Sequence, residues 1–274
     1  MKIDYLLQGK KIAFIGGGNM AEAIIRGLLA TGMAPETISV AEPLESRKLF
    51  LADRYKVATS SDNASVAAGA NVIVLAVKPQ VAAGVLAQLS GTMGSSTLVI
   101  SIMAGVSCAA IEAALPQGIR VVRVMPNTPA LVMEGTSALC RGSLATDDDL
   151  TLSEALFAQV GTTCRVEEKL LDAVTGLSGS GPAYVLAFLE ALADGGVKNG
   201  LGRDAALSLA AQTLLGTARL YLETGEHPAS LRDKVTSPGG TTIAGLHALE
   251  KGCFRGTVIS AVDAAVARSK ELGK

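Results

Sequence analysis

Lys11-Ile12-Ala13-Phe14-Ile15-Gly16-Gly17-Gly18-Asn19-Met20-Ala21-Glu22-Ala23-Ile24 is the stretch that decides the fold. A β-favouring apolar run, Ile12 to Ile15, stops at three glycines, and a helix-favouring run with a period near 3.6 follows. The pattern predicts strand, tight turn and helix, with Gly16-x-Gly18-x-x-Ala21 at the turn. Gly16 permits the sharp turn, Gly18 lets a pyrophosphate approach the backbone, and Ala21 is small enough for close helix–strand packing. The phosphates of a dinucleotide would then meet unpaired N–H groups at the helix start. A glycine-rich turn alone is a weak signal; the strand before it and the helix after it are what point to a nucleotide.

Working outward, the 274-residue chain is long enough for two cores. Its net charge of −1 gives no basis for a nucleic-acid or anionic-membrane partner. The cysteines, Cys108, Cys140, Cys164 and Cys253, are scattered without metal-type spacing, so no metal is expected and they read as buried small apolar residues in a reducing cytoplasm. Met1-Lys2-Ile3-Asp4 leads at once toward the first strand, with no leader-like apolar region. The longest uncharged stretch, Pro79 to Ile111, is interrupted by glycines and serines and does not supply the ~20 continuous apolar residues of a spanning helix. A soluble cytoplasmic protein is the expectation.

Strand and helix signals alternate through the first part of the chain. Thr37–Ala41 reads as a second strand, Leu44–Arg54 as a helix, and Lys56–Ala58 as a short strand; Ser61-Asp62-Asn63 offers an N-cap before a further helix. Asn71–Val77 is the continuous apolar run of a parallel strand buried on both faces. Strands at Thr97–Ser101, Ile119–Val124, Thr136–Cys140 and Thr163–Val166 follow, with helices between them. The alternation predicts a doubly wound α/β sheet of Rossmann type. Ligands of such sheets bind outside the carboxyl ends of the strands, where Gly16–Met20, Glu42, Lys78-Pro79, Met103–Gly105 and Asn127-Thr128 would converge. Glu42 holds the place of the acid that binds a ribose 2′-OH and favours NADH, whereas Ser46 and Arg47 could meet the 2′-phosphate of NADPH; Arg47 could equally be a solvated helix residue.

Beyond Glu168 helices take over: Pro182–Asn199, Arg203–Thr224, Pro228–Lys234, Thr241–Glu250 and Phe254–Leu272. We therefore expect a dinucleotide-binding domain over 1–167 and an all-α dimerisation and substrate domain over 168–274. Runs such as Leu207–Leu215 are apolar on more than one face and need cover on most sides, which predicts a homodimer with interlocked helices, the alternative being a monomer covered by its own sheet domain. Two glycine-rich stretches, Gly176–Tyr184 and Val235–Thr242, put hydroxyls and bare N–H groups at helix starts, suited to a carboxylate or merely to capping.

Strong acid–base groups are scarce: the histidines, His227 and His247, lie in no catalytic motif. Reducing a ketone wants a proton donor for the developing alkoxide. A protonated imine becomes a neutral amine and asks mainly for positioning, so this inventory suits imine reduction better.

The chain closely resembles the pyrroline-5-carboxylate reductase family along essentially its whole length. The resemblance rests on Phe14–Met20, Ala76-Val77-Lys78-Pro79, Met125-Pro126-Asn127-Thr128-Pro129, Gly176–Tyr184 and above all Asp233–Leu246. It implies NAD(P)H-dependent reduction of 1-pyrroline-5-carboxylate to L-proline, by a Rossmann domain and a helical dimerisation domain. It further implies an active site at the dimer interface and, in many members, assembly into decamers. By resemblance, Ile15, Gly16, Gly17, Gly18, Asn19 and Met20 hold the pyrophosphate. Glu42 lies at the ribose, Asn63 near the adenosine, and Ala76, Val77 and Lys78 with Met103, Ala104 and Gly105 along the cofactor. Glu168, Thr241 and Thr242 contact substrate, with Thr242 on the ring nitrogen as the catalytic group, while Ser237, Gly239, Gly240 and Thr241 cradle the carboxylate. Family members commonly carry a small polar residue in place of Glu42 and many prefer NADPH, so the preference here stays open. A β-hydroxyacid dehydrogenase would share the layout, but its catalytic Lys and following Asn are replaced here by Val185 and Phe188. A non-catalytic nucleotide-binding protein would have no use for Ser237–Thr242.

Overall fold

The computed structural model describes residues 5–94 and 96–273; Met1–Asp4, read above as free of a leader, lie outside the described residues. By compactness the chain divides into a unit of Met1–Gly179 with Ala265–Lys274 and a second of Ser180–Ala264. This cut and the expected one at 167/168 differ in kind, since the last residues of the chain are counted with the first unit.

The first unit contains β1 (Ile12–Ile15), α1 (Asn19–Ala30), β2 (Ile38–Ala41), α2 (Glu45–Tyr55), β3 (Ala58–Ser60), α3 (Asn63–Ala67), β4 (Val72–Leu75) and α4 (Ala82–Leu89). It continues with β5 (Leu98–Ser101), α5 (Cys108–Ala114), β6 (Arg120–Met125), β7 (Gly135–Arg141), α6 (Asp147–Phe157), β8 (Gly161–Arg165) and α7 (Leu171–Val174). The sheet order is β3-β2-β1-β4-β5-β6-β7-β8. Pairing is parallel from β3 through β6, β7 runs antiparallel to β6, and β8 is parallel to β7. The strand order reverses beside β1, and this switch point is where a doubly wound sheet takes its ligand.

Continuous apolar strands serve two cores at once, because side chains alternate across the sheet. Ile12, Phe14, Val72, Val74, Leu98 and Ile100 enter one core with Ile24, Leu28 and Phe157. Ala13, Ile15, Ile73, Leu75 and Val99 enter the other with Leu86 and Ile111. Local signals set the helix starts. Asp62 caps α3 by accepting from Ala64 N at 3.0 Å, Ser107 caps α5 through Ala110 N at 3.2 Å, and Thr146 and Asp149 form a capping box on α6.

The second unit contains α8 (Gly181–Lys198), α9 (Arg203–Thr224), α10 (Pro228–Lys234) and α11 (Thr241–Lys251); α12 (Phe254–Leu272) begins there, and its residues from Ala265 on count with the first. The stretch Gly176–Tyr184 is continuous with its surroundings: Thr175–Gly179 form a π-helical turn before α8. The cysteine expectation needs correction. Cys108 and Cys140 are buried, but Cys164 near the end of edge strand β8 and Cys253 just before α12 are exposed. Among the described residues no helix is long and apolar enough to cross a membrane.

Candidate active site

The parallel strands β1, β2, β4 and β5 end at Ile15, Ala41, Leu75 and Ser101, so the segments that follow them share one edge of the sheet. Gly16 turns the chain with φ +101°, and a Cβ there would stand 2.6 Å from the Ala76 carbonyl oxygen. Only glycine lets these two strand ends approach. Gly18 differs: a Cβ would meet nothing within 4 Å, so the α1 N-terminus faces open space. Gly18 is the N-cap residue, in extended conformation, and no side chain caps α1. Bare N–H groups at a helix start beside an open glycine fit a pyrophosphate.

Glu42 directly follows β2 and is buried. Its Oε2 accepts from Gly17 N at 2.9 Å and its Oε1 from Leu44 N at 3.0 Å. The carboxylate is thus fixed beside the glycine turn, as an acceptor for ribose hydroxyls requires. Arg47 is half-buried, and two of its nitrogens have protein partners. Its Nε donates to the Gly17 carbonyl at 2.6 Å, and its terminal nitrogen donates to Glu22 at 2.6 Å. The guanidinium also lies 5.0 Å from the Phe50 ring centroid. Tyr55 donates to the same Glu22 at 2.7 Å. Burial pushes the Glu22 carboxyl up, but the Tyr55 and Arg47 hydrogen bonds outweigh it and hold the group below its usual range. Sequence reading missed this network because Glu22, Arg47 and Tyr55 belong to two helices whose facing sides only the packing reveals.

Other expected cofactor residues fall as follows. Ala76, Val77 and Lys78 directly follow β4, and Met103, Ala104 and Gly105 follow β5, with Met103 N donating to Ser101 Oγ at 3.3 Å. Asn63 opens α3, and its side-chain nitrogen donates to Gln88 at 2.7 Å. Asn127 holds the β6–β7 connection: its oxygen accepts from Thr136 N at 2.9 Å and its nitrogen donates to Ser178 O at 3.2 Å.

Glu168 lies beside the segment that follows β5, lining one cavity with Gly105 and Ser107. Its Oε1 accepts from Cys108 N at 2.7 Å and from Arg123 at 3.1 Å, which ties the turn after β8 to the start of α5. Cys140 is the ladder partner of Arg123, and its thiol lies against Cys108. The hydrogen bond between the two thiols and burial together push the Cys108 thiol up.

In the helical unit, Ser237–Gly240 make a turn in which Gly240 N donates to Ser237 O at 3.1 Å and Gly239 takes φ +68°. Gly240 is the N-cap residue of α11, and no side chain caps that helix. The hydroxyls of Thr241 and Thr242 therefore do not serve as caps. A helix start with open N–H groups and two neighbouring hydroxyls can hold a carboxylate. The expected site residues thus form two groups, one in each unit.

A family model described as pyrroline-5-carboxylate reductase dimerisation matches residues 168–272, and one described as NADP oxidoreductase, coenzyme F420-dependent, matches residues 11–105. A pyrroline-5-carboxylate reductase of Synechocystis sp. is 52% identical over 96% of this chain and 98% of its own. The chain belongs to the pyrroline-5-carboxylate reductase family. Two solved members agree in fold. The Coxiella burnetii enzyme superposes with a TM-score of 0.91 at 40% identity, covering 97% of this chain and 99% of its own. The Plasmodium falciparum enzyme, solved with NADP bound, gives 0.87 at 34% identity over 97% and 99%.

As a reductase of this family the chain is an NAD(P)-dependent oxidoreductase, and its dimerisation segment supports self-association. The helical unit has the surface for it. Its own core is thin, Ala193, Ala206 and Ala210, while Leu186, Leu209, Leu222 and Ile259 are exposed. At the positions where a β-hydroxyacid dehydrogenase would carry Lys and Asn, Val185 is exposed and Phe188 packs 5.5 Å from Phe254.

Proposed function

We propose that this chain reduces 1-pyrroline-5-carboxylate to L-proline, with a reduced nicotinamide dinucleotide, preferably NADH, as donor. The observation that carries the reading is the uncapped α11 start after Ser237–Gly240, where the hydroxyls of Thr241 and Thr242 serve no structural capping role. The N–H groups there would hold the substrate carboxylate, and Thr242 would hydrogen-bond the ring nitrogen. The sheet unit would bind the dinucleotide through Ile15–Met20, Glu42, Ala76–Lys78 and Met103–Gly105, and the dinucleotide supplies hydride when bound. The imine carbon gains that hydride and the C=N π pair becomes the amine lone pair, so a protonated imine ends as a neutral amine and needs no strong protein acid. Water-poor positioning and the fixed hydrogen bonds supply the rest.

The preference for NADH is supported by Glu42 and Arg47 together. A buried carboxylate repels a 2′-phosphate, and the nearby guanidinium that could offset it is engaged by Gly17 and Glu22. Asn63 has a side-chain partner in Gln88, and Glu168 has partners in Cys108 and Arg123. Through its Oε1, Glu168 seats the start of α5. The functional unit we propose is a homodimer in the cytoplasm.

The test is direct: purified protein, pyrroline-5-carboxylate and either NADH or NADPH, followed by loss of reduced-nicotinamide absorbance. Turnover with NADH, faster than with NADPH at equal concentration, is expected. No loss with either cofactor overturns the reading, and light scattering gives the oligomeric mass.

A further inference from the structure

We propose that Cys108, Cys140 and Glu168 form a binding site for a thiophilic divalent cation of the zinc class. The two Sγ atoms and a carboxylate oxygen all lie within 4.8 Å of one another, and both cysteines are buried. In a tetrahedral zinc site, Zn–S bonds of about 2.3 Å put two sulfurs ~3.8 Å apart, so a contraction of at most about 1 Å suffices. Thiolate pairs select zinc, cadmium and copper(I) over magnesium or calcium.

The donors come from three separate elements, each already held in place. Cys108 opens α5, whose N-cap is Ser107; Cys140 sits in the β7 ladder opposite Arg123; Glu168 lies in the turn after β8. The bonds from Cys108 N and Arg123 both end on Glu168 Oε1, and among the described residues Oε2 takes no hydrogen bond. Glu168 therefore keeps one oxygen without a hydrogen-bond partner among the described residues.

Charge also balances. A divalent cation displaces two thiol protons, forming two metal–sulfur bonds as the protons leave to solvent. The buried cluster then keeps its net charge, and the Glu168–Arg123 pair survives. A cavity of about 390 Å³, lined by Gly105, Ser107, Arg123 and Glu168 among others, reaches the cluster at its carboxylate and gives a path of entry on that side. A disulfide would use the same thiols but would have no role for Glu168, and that difference makes the two readings separable.

The experiment uses the reduced full-length protein carrying Cys164→Ser and Cys253→Ser, which removes the exposed thiols. Titration with Cd²⁺ is expected to give a thiolate-to-cadmium charge-transfer band that saturates at one equivalent per chain and is displaced by Zn²⁺. Adding Cys108→Ser or Cys140→Ser should abolish the band, and Glu168→Gln should weaken binding by at least about tenfold. No band, a band that survives Cys140→Ser, or an affinity unchanged by Glu168→Gln overturns the proposal. Independently of these ligand variants, saturating Zn²⁺ should raise Tm, and an unchanged Tm overturns it. Neither readout depends on the reductase activity.

Discussion

The carboxylate of Glu42 accepts a hydrogen bond from the backbone N–H of Gly17 at 2.9 Å, joining the end of β2 to the glycine turn after β1. The residue that would choose between cofactors is therefore part of the loop that would hold them. Replacing Glu42 by Ser removes the charge that opposes a 2′-phosphate. The ratio of kcat/KM for NADPH over NADH should rise about tenfold or more, corresponding to ~1–2 kcal/mol of relieved repulsion. Paired assays with both cofactors check it; an unchanged ratio means that the carboxylate does not meet the ribose.

Thr242→Ala should lower kcat/KM for pyrroline-5-carboxylate by about 1–3 kcal/mol, the range for one hydrogen bond lost in a buried polar site. Because α11 has no side-chain cap, Tm should stay nearly constant. A fall in Tm with full activity would mean that the hydroxyl is structural after all.

The two turn glycines should fail differently. Gly16→Ala places a Cβ 2.6 Å from Ala76 O at φ +101°, so it should destabilise the fold by at least ~1–3 kcal/mol and lower Tm. Gly18→Ala enters open space and should leave the fold intact while weakening cofactor binding, since the methyl stands where a phosphate would approach. Thermal melts paired with dinucleotide titrations distinguish the two; loss of fold in both variants would deny Gly18 its role.

Acid should loosen the α1–α2 contact. The Glu22 carboxyl is held below its usual range in the folded protein, so its contribution to stability is fully present above the unfolded pKa of ~4.3 and is lost as pH falls through the lower folded value. Tyr55→Phe removes one of the two bonds responsible and should cost about 1 kcal/mol at neutral pH. Denaturant melts at neutral and acid pH check both points: the gap between wild type and variant should narrow in acid, and a constant gap contradicts the role given to Glu22.

Ile12 to Ile24 was sufficient for the sheet unit because strand, turn and helix are local devices. An apolar run, a glycine that alone tolerates φ +101° and a small residue at Ala21 specify them within one turn of chain. The same holds for Asp62, Ser107 and Thr146, whose caps act on N–H groups within three residues. Ser237–Thr242 was legible as a helix entry; what the fold adds is that no side chain caps it.

The charge network and the thiol cluster needed three dimensions. Arg47 read as a phosphate ligand or a solvated residue, and packing of α2 on α1 instead gave it Glu22 and the Gly17 carbonyl. Cys108, Cys140 and Glu168 share no spacing in the chain, and only the β6–β7 ladder and the turn after β8 bring them together. Sequence alone determined what depends on neighbours along the backbone: the order of elements, their starts and the family. Tertiary structure decided which charged and soft side chains meet, because a side chain's partner is set by the face on which its helix or strand packs, and local propensity carries no record of that.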